Sequence, residues 1–170
     1  MKALNSIACV FLSIFLLQAD APSIAAEPTA TPREVMEKVR EAAAFLQSAG
    51  AAGLSQFMDS NGRWVWKDTY VWVLKCDDMT DAAHPLKPIL VGKNLAGIKD
   101  VRGNYFFVQF CESAKKPAGG WVEYWWPKVG ETVPSRKIAY VLAVPGTPYQ
   151  VAAGIYDEGI PLEELEEMLK

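Results

Sequence analysis

The sequence predicts an α+β fold in which a long amino-terminal helix packs on an antiparallel sheet. Residues 119–126, 137–144 and 149–156 are rich in aromatic and β-branched side chains, which favour strands, and Pro or Gly bounds each segment. Apolar residues recur at helical spacing over residues 35–49, beside a charged face. The short Pro-Gly-Thr-Pro connection at 145–148 predicts that the last two strands pair antiparallel.

The first 25 residues have the parts of a secretory signal peptide: a positive start at Lys2, an apolar run over residues 7–17 and small residues at the end. This run is shorter than the roughly 20 residues that a membrane span needs. We therefore expect a periplasmic or secreted protein with no membrane span after processing. Residues 26–32 are predicted to form a linker, and residues 33–170 a single domain.

The remaining elements follow in chain order. Thr31 and Glu34 predict a capping box at the start of the first helix, and Gly50 ends that helix. A short helical piece is predicted over residues 54–58. Residues 64–76 are predicted to form the first strand, because bulky side chains alternate there with a period of two.

Between this strand and the last three strands, the spacing of apolar residues is less regular. It predicts a polar loop over residues 77–88, a short strand at 89–91 and a helix over 104–115. Pro161 opens a last helix, whose leucines form a stripe beside a run of glutamates. Such an acidic run is most simply a solvated helix face.

Charge and composition narrow the class of partner. The chain carries 17 basic and 20 acidic residues, for a formal net charge of −3, without the clustered Lys and Arg of a nucleic-acid surface. It also lacks a Gly-rich phosphate loop, metal-ligand spacing and a Gly-x-Ser-x-Gly nucleophile. The sequence therefore predicts no enzyme, no cofactor, no metal site and no nucleic-acid partner.

Two cysteines lie outside the predicted signal peptide, Cys76 and Cys111. In an oxidising compartment such a pair can close a disulfide, which for this spacing would contribute about 3 to 4 kcal/mol on the loop-entropy model. Two buried free thiols are the alternative, since a thiol packs like a small apolar side chain. The sequence leaves both states open.

Six short motifs occur in one order along the chain. They are His84-Pro85, Gly92-Lys93-Asn94-Leu95, Lys99-Asp100 with Gly103, Gly-Gly-Trp-Val-Glu-Tyr-Trp-Trp at 119–126, Lys-Ile-Ala-Tyr-Val at 137–141 and Ala-Gly-Ile-Tyr at 153–156. In this order they resemble single Cache domains of the second type, which are extracytoplasmic ligand-sensing modules with a PAS-like fold. The resemblance covers roughly residues 64–156. It implies a sheet of about five strands, with the ligand held between the sheet and the loops and helix that cross it.

The chain departs from the family pattern in two ways. Members usually show Asp-x-x-Gly ahead of the His-Pro motif, but residues 76–81 contain no Gly, so we expect a longer loop there, tied down if Cys76 is bridged. Many members are the outer parts of chemoreceptors or histidine kinases, with membrane helices and a signalling domain that this sequence does not include. We therefore expect any signal to pass to a separate membrane receptor or transporter.

Three aromatic side chains are the first candidates for a ligand pocket. Tyr124 and Trp126 share one face of their strand, and together with Tyr140 they are predicted to form the pocket wall, although plain core packing is the alternative. Tyr105 and Phe107, from the crossing helix, are further candidates.

Two cationic or titratable residues complete the candidate set. His84 is the only histidine, and it is either a donor to a ligand carboxylate or a hydrogen-bonded loop residue. Lys137 alternates with Ile138 and so points away from Tyr140, which leaves it as a solvated strand residue unless a bulge intervenes.

These residues predict an exported binding protein for a short organic carboxylate. Tyrosine, tryptophan and cationic donors would fix the carboxylate, while the apolar wall selects chain length. The alternative is an interaction module without a ligand, which docks on a partner or on a second copy of the chain to form a homodimer.

Overall fold

A computed structural model describes residues 29–170 of the chain. The signal peptide predicted over residues 1–25, and the first three residues of the predicted linker, lie outside the described residues. Among residues 29–170, no helix combines the length and the apolar character that crossing a membrane requires.

The described chain contains three α-helices, seven strands and two 3₁₀ segments. The helices are α1 (Pro32–Ala49), α2 (Phe106–Ser113) and α3 (Leu162–Glu167), and the 3₁₀ segments are Gly50–Met58 and Pro88–Leu90. The strands are β1 (Val65–Trp66), β2 (Thr69–Tyr70), β3 (Trp72–Lys75), β4 (Thr80–Ala83), β5 (Gly120–Pro127), β6 (Pro134–Ala143) and β7 (Tyr149–Ile155).

Five of these strands form one antiparallel sheet in the order β4-β3-β7-β6-β5, and β1 and β2 form a separate hairpin. The predicted pairing of the last two strands is confirmed, since Tyr140 on β6 lies opposite Ala153 on β7. The predicted α+β class, with a long amino-terminal helix on a five-stranded sheet and a second helix across it, is also confirmed.

The segment between α1 and α2 differs most from the sequence-based prediction. Residues 64–76 do not form one strand, because Lys67 takes a φ of 47° and turns the chain into the β1–β2 hairpin. The loop predicted over 77–88 contains β4, which pairs with β3. The turn between these strands is short, since Met79 adopts a left-handed φ of 58° that Gly more often supplies. The strand predicted at 89–91 is instead a 3₁₀ turn.

The sheet separates two hydrophobic cores. On one face α1 packs its stripe of Val35, Val39 and Leu46, all with no exposed surface. On the other face α2 crosses the sheet and buries Phe106 and Phe110. Burial of each such side chain stabilises the fold by roughly 1.5 to 3 kcal/mol. The core under α2 is the more aromatic of the two, and it contains the cavity described below.

The predicted capping box at the start of α1 is confirmed. The Thr31 hydroxyl accepts a hydrogen bond from Glu34 N at 3.3 Å, and the Glu34 carboxylate accepts one from Thr31 N at 2.8 Å. We expect Thr31→Ala to lower the free energy of unfolding by about 1 kcal/mol in urea titrations, because a helix-start N–H loses its acceptor. Thr31→Ser keeps the hydroxyl and should stay near wild type. Equal stability of the two variants would contradict the capping role.

Candidate ligand-binding site

Strand pairing decides which side chains meet on each face of the sheet. In the β5–β6 pair, Tyr124 lies opposite Lys137, and Trp121 lies opposite Tyr140. Directly opposed residues of an antiparallel pair project to the same face. Tyr124 and Lys137 therefore face α2, while Trp121 and Tyr140 belong to the core under α1.

A small cavity lies between the sheet and α2. Its volume is about 20 Å³, room for roughly one water molecule. Aromatic side chains form most of its wall: Tyr70, Trp72, Phe106, Phe107, Phe110, Tyr124 and Trp126. Three residues that follow β4, namely Leu90, Leu95 and Ile98, also line it, together with the ionisable Asp81 and His84. The cavity is thus an apolar space with a few polar groups, as in many small-molecule sites.

His84 presents a neutral imidazole to the cavity. Its Nδ1 accepts hydrogen bonds from the backbone N–H groups of Leu86 at 3.2 Å and Lys87 at 3.0 Å. Burial, together with the positive charges of Lys137 and Lys87, lowers the pKa of His84 to about 3. Because Nδ1 accepts these bonds, the proton of the neutral ring lies on Nε2, which can donate one hydrogen bond.

Asp81 is the carboxylic acid of the cavity. Its side chain is almost completely buried, and its Oδ1 has no hydrogen-bond partner. Burial raises the pKa of Asp81 to about 7. Within residues 29–170, no group of three or more His, Cys, Asp or Glu is arranged to hold a metal ion, so the acid is not part of a metal cluster there.

Tyr70 and Trp126 separate the cavity from a larger outer cleft. Trp126 Nε1 donates a hydrogen bond to the Tyr70 hydroxyl at 3.0 Å. Both residues also line a cleft of about 340 Å³, whose other walls are Leu86, Lys87 and residues 127–131. The hydrogen-bonded pair thus borders both spaces.

Lys137 is a fully buried amine next to the cavity wall. Its Nζ lies 4.2 Å from the ring centre of Tyr70, 5.0 Å from that of Trp72 and 4.8 Å from that of Tyr156, and it has no hydrogen-bond partner. Burial lowers the pKa of Lys137 to about 7, and the charge of Asp68 partly opposes this shift. The ring faces favour an ammonium. Buried cations are otherwise paired with an anion, and within the described chain Lys137 has no such partner in hydrogen-bond contact.

Gly154 on β7 makes room for the Lys137 side chain. A Cβ atom at position 154 would lie 2.9 Å from Lys137 Cε and 2.7 Å from the Ile138 carbonyl oxygen. Both distances are too short for a real Cβ contact, so a larger residue would displace the lysine or the strand. The Gly in the Ala-Gly-Ile-Tyr motif at 153–156 thus helps to place this amine.

The structure brings most of the sequence-predicted residues to the cavity. Four line it directly, namely Phe107, Tyr124, Trp126 and His84. Lys137 lies next to the wall and is buried, so the expectation of a solvated strand residue is wrong: α2 and the β2–β3 segment cover that face of β6. Ligand binding by these residues stays a prediction.

Two predicted residues lie elsewhere. Tyr140 is not part of the wall, because the β5–β6 register turns it toward α1, where its hydroxyl donates to the Ala118 carbonyl oxygen at 2.6 Å. Tyr105 is 45% exposed just before α2, with Lys99 Nζ 4.5 Å from its ring centre. The placement of Tyr140 in the pocket wall was therefore wrong for this cavity.

Sequence analysis missed Asp81 and four of the aromatic lining residues. Tyr70 and Trp72 carried a usable signal, because they alternate with Leu74 and so share one face of the chain. Asp81 carried none, since it lies in a stretch predicted as a loop. Phe106 and Phe110 are four residues apart in the predicted helix over 104–115, and this helical spacing could have connected them with the site.

Of the two states that the sequence left open for Cys76 and Cys111, the structure has the disulfide, which joins the end of β3 to α2 across a sequence separation of 35. Phe110, which precedes Cys111, lines the cavity. The disulfide therefore holds α2 over the cavity covalently.

Comparison with known proteins agrees with this architecture. Residues 62–161 match the model of the Cache domain family. Over 98 residues the chain is 28% identical to the methyl-accepting chemotaxis protein McpP of Pseudomonas putida, and the match covers 56% of this chain and 18% of McpP. The chain thus spans less than a fifth of this relative's length.

Several solved structures share this fold. A methyl-accepting chemotaxis protein of Vibrio parahaemolyticus superposes with a TM-score of 0.63 at 20% identity, covering 76% of this chain and 90% of that one. A periplasmic sensor domain of a chemotaxis protein gives 0.56 at 27% identity, over 72% and 88% of the two chains. A Cache chemosensory domain described for carboxylic acid recognition gives 0.57 at 24% identity, over 72% and 86%. Since the family model matches more than half of the chain, the protein belongs to the Cache domain family.

Proposed function

We propose that this protein is an extracytoplasmic sensor domain that binds a short organic carboxylate and signals through a separate membrane receptor or transporter. Its homologues are sensor domains of chemotaxis receptors, which supports the sensing role. The cavity is lined mostly by aromatic and aliphatic groups, and its two ionisable residues, Asp81 and His84, make no side-chain contact with a nucleophile there, so binding is favoured over catalysis.

The unpaired amine of Lys137 is the observation that carries the proposal. A buried ammonium without an acceptor is costly, and an anion brought beside it offsets that cost. A carboxylate has the charge and the oxygen lone pairs that this group lacks. The ligand would reach Lys137 past Tyr70 and Trp72, whose rings belong to the cavity wall and contact the amine.

Neutral donors around the cavity suit the same ligand. His84 Nε2–H and the Tyr124 hydroxyl are available to carboxylate oxygens. The aromatic wall would limit the length of the carbon chain. The relative described for carboxylic acid recognition supports this class of ligand.

A carboxylate is larger than the cavity of about 20 Å³, so binding requires the wall to move. We assign this movement to the hydrogen-bonded pair of Tyr70 and Trp126, because it alone is shared between the cavity and the outer cleft. Rotation of the Trp126 ring would join the two spaces.

Thermal unfolding with acetate, propionate and pyruvate tests the proposal. A carboxylate at 100 times its Kd should stabilise the fold by about 2.7 kcal/mol and raise Tm, because it binds only the folded state. Lys137→Met should weaken binding at least tenfold, since it removes the buried amine beside the cavity wall. Lys93→Met, at an exposed lysine, serves as the control. An unchanged Tm with every acid, or equal affinity in Lys137→Met, would overturn the proposal.

The small volume of the cavity favours a second candidate, an interaction module without a ligand. In this case the nearly filled core would be complete as it stands, and the domain would dock on a partner or form a homodimer. A chain that shows no Tm shift but sediments as a concentration-dependent dimer would support this candidate over the first.

A further inference from the structure

We infer that Asp81 accepts a hydrogen bond from the ligand, so that the preferred ligand carries a hydroxyl or amino group at the end remote from its carboxylate. This inference rests on the proposed function and narrows its ligand class. It makes Asp81 a specificity-determining residue.

Burial of Asp81 without a partner points to a missing donor. The residue is 2% exposed, it lines the cavity, and its Oδ1 has no hydrogen-bond partner. Buried polar atoms in folded proteins are nearly always satisfied. Among the described residues, the other unsatisfied side-chain atoms are Trp64 Nε1, Trp121 Nε1 and Lys137 Nζ. Neither indole belongs to the cavity wall, so Asp81 is the unsatisfied acceptor that a ligand in the cavity can reach.

The backbone holds Asp81 in place on both sides. On one side it pairs with Leu74 of β3. On the other its carbonyl oxygen accepts a hydrogen bond from Gly92 N at 2.9 Å, and Val91 forms an isolated bridge to it. The backbone of Asp81 is thus fixed at a position where its side chain is buried and lines the cavity.

Asp81 and Lys137 define two ends of the site. They come from β4 and β6, and β3 and β7 lie between these strands. The register also displaces them along the strands, because Asp81 pairs with Leu74, which lies opposite Gln150, whereas Lys137 is one residue outside the Ile138–Ile155 pair. A carboxylate at the Lys137 end therefore leaves the Asp81 end for the other terminus of the ligand. A hydroxyl or ammonium at that terminus satisfies Oδ1, whereas a methyl group leaves it unsatisfied.

The test compares ligands that differ by one donor. Isothermal titration calorimetry at pH 7.5 would measure the affinity of wild-type protein for propionate, 3-hydroxypropionate and β-alanine. We expect the two donor-bearing acids to bind at least tenfold more tightly than propionate, because a hydrogen bond to a buried carboxylate is charge-assisted. Asp81→Leu, similar in size but without an acceptor, should bring the affinity ratio close to one. Asp77→Leu, in the neighbouring exposed turn, should keep the wild-type ratio.

If Asp81→Leu does not fold, the affinities of wild-type protein for the donor-bearing acids relative to propionate still test the inference. Equal binding of propionate and both donor-bearing acids would overturn it and leave the carboxylate proposal standing. Binding of none of them would overturn both. Propionate affinity that rises as the pH falls through 7, and loses this dependence in Asp81→Leu, would make Asp81 a donor to the carboxylate and also overturn the inference.

Discussion

Replacing Cys76 and Cys111 together with alanine is expected to lower the free energy of unfolding by about 3 to 4 kcal/mol. The disulfide closes a loop with a sequence separation of 35, and its loss restores the conformational freedom of the unfolded chain. A drop of this size is a large part of the stability of an ordinary domain. Urea unfolding of the oxidised wild type and the double variant measures it.

Wild-type protein treated with a reductant provides the matched control, since it loses the bond and keeps the sulfur atoms. It should unfold at nearly the same urea concentration as the double alanine variant. The free energy of unfolding of oxidised wild type could instead differ by less than about 1 kcal/mol from that of reduced wild type and of the double alanine variant. This result would show that packing of α2, and not the covalent link, holds that helix on the sheet.

Lys137→Met is expected to stabilise the protein while it weakens carboxylate binding at least tenfold. Methionine fills a similar volume, makes favourable contacts with the surrounding rings and has no charge to bury. In wild type the pKa of Lys137 falls from 10.5 to about 7 on folding. The unfolded state therefore binds more protons between these values, and wild-type stability rises with pH in this window.

The size of this pH dependence of stability follows from the pKa shift of Lys137. Between pH 7 and pH 9.5 the Lys137 contribution should make wild type more stable by about 3 kcal/mol, at about 1.4 kcal/mol per pKa unit. Lys137→Met should lack this component, so the difference between the two unfolding curves should shrink as the pH rises. Urea unfolding at several pH values measures this difference. Lys93→Met should show the same pH dependence of stability as wild type. A stability difference between wild type and Lys137→Met that does not change with pH would contradict the lowered pKa of Lys137.

A stability gain at a binding residue would have a functional meaning. A residue that costs stability in the unliganded fold is retained when the ligand compensates for it. The same reasoning applies to Asp81, whose buried Oδ1 has no hydrogen-bond partner in the described chain. Both residues would then destabilise the empty site and favour the bound state.

Much of the architecture could be predicted from local patterns. The stripe of α1, the capping box at Thr31 and the strands that became β5, β6 and β7 follow from periodicity and from Pro and Gly at their ends. Period-two alternation also showed that Tyr124 and Trp126 share a face. These signals are local because each depends on side chains within one helix turn or one strand.

The pairing of distant segments could not be predicted in this way. Thr80–Ala83 has little strand preference, and it becomes β4 because β3 on one side and residues 91–94 on the other supply hydrogen-bond partners. The left-handed conformation of Met79 could not be predicted for the same reason, since a non-Gly residue adopts it only when the surrounding hairpin requires it.

The sequence by itself determined the α+β class, the family, the candidate disulfide and the alternation that separates the two faces of each strand. Only the tertiary structure decided that Lys137 is buried beside Tyr70 and Trp72, that Tyr140 faces α1 and that Asp81 lines the cavity. The physical reason is register. A shift of one residue between β5 and β6 would exchange their faces, and this choice depends on packing against helices far away in the chain.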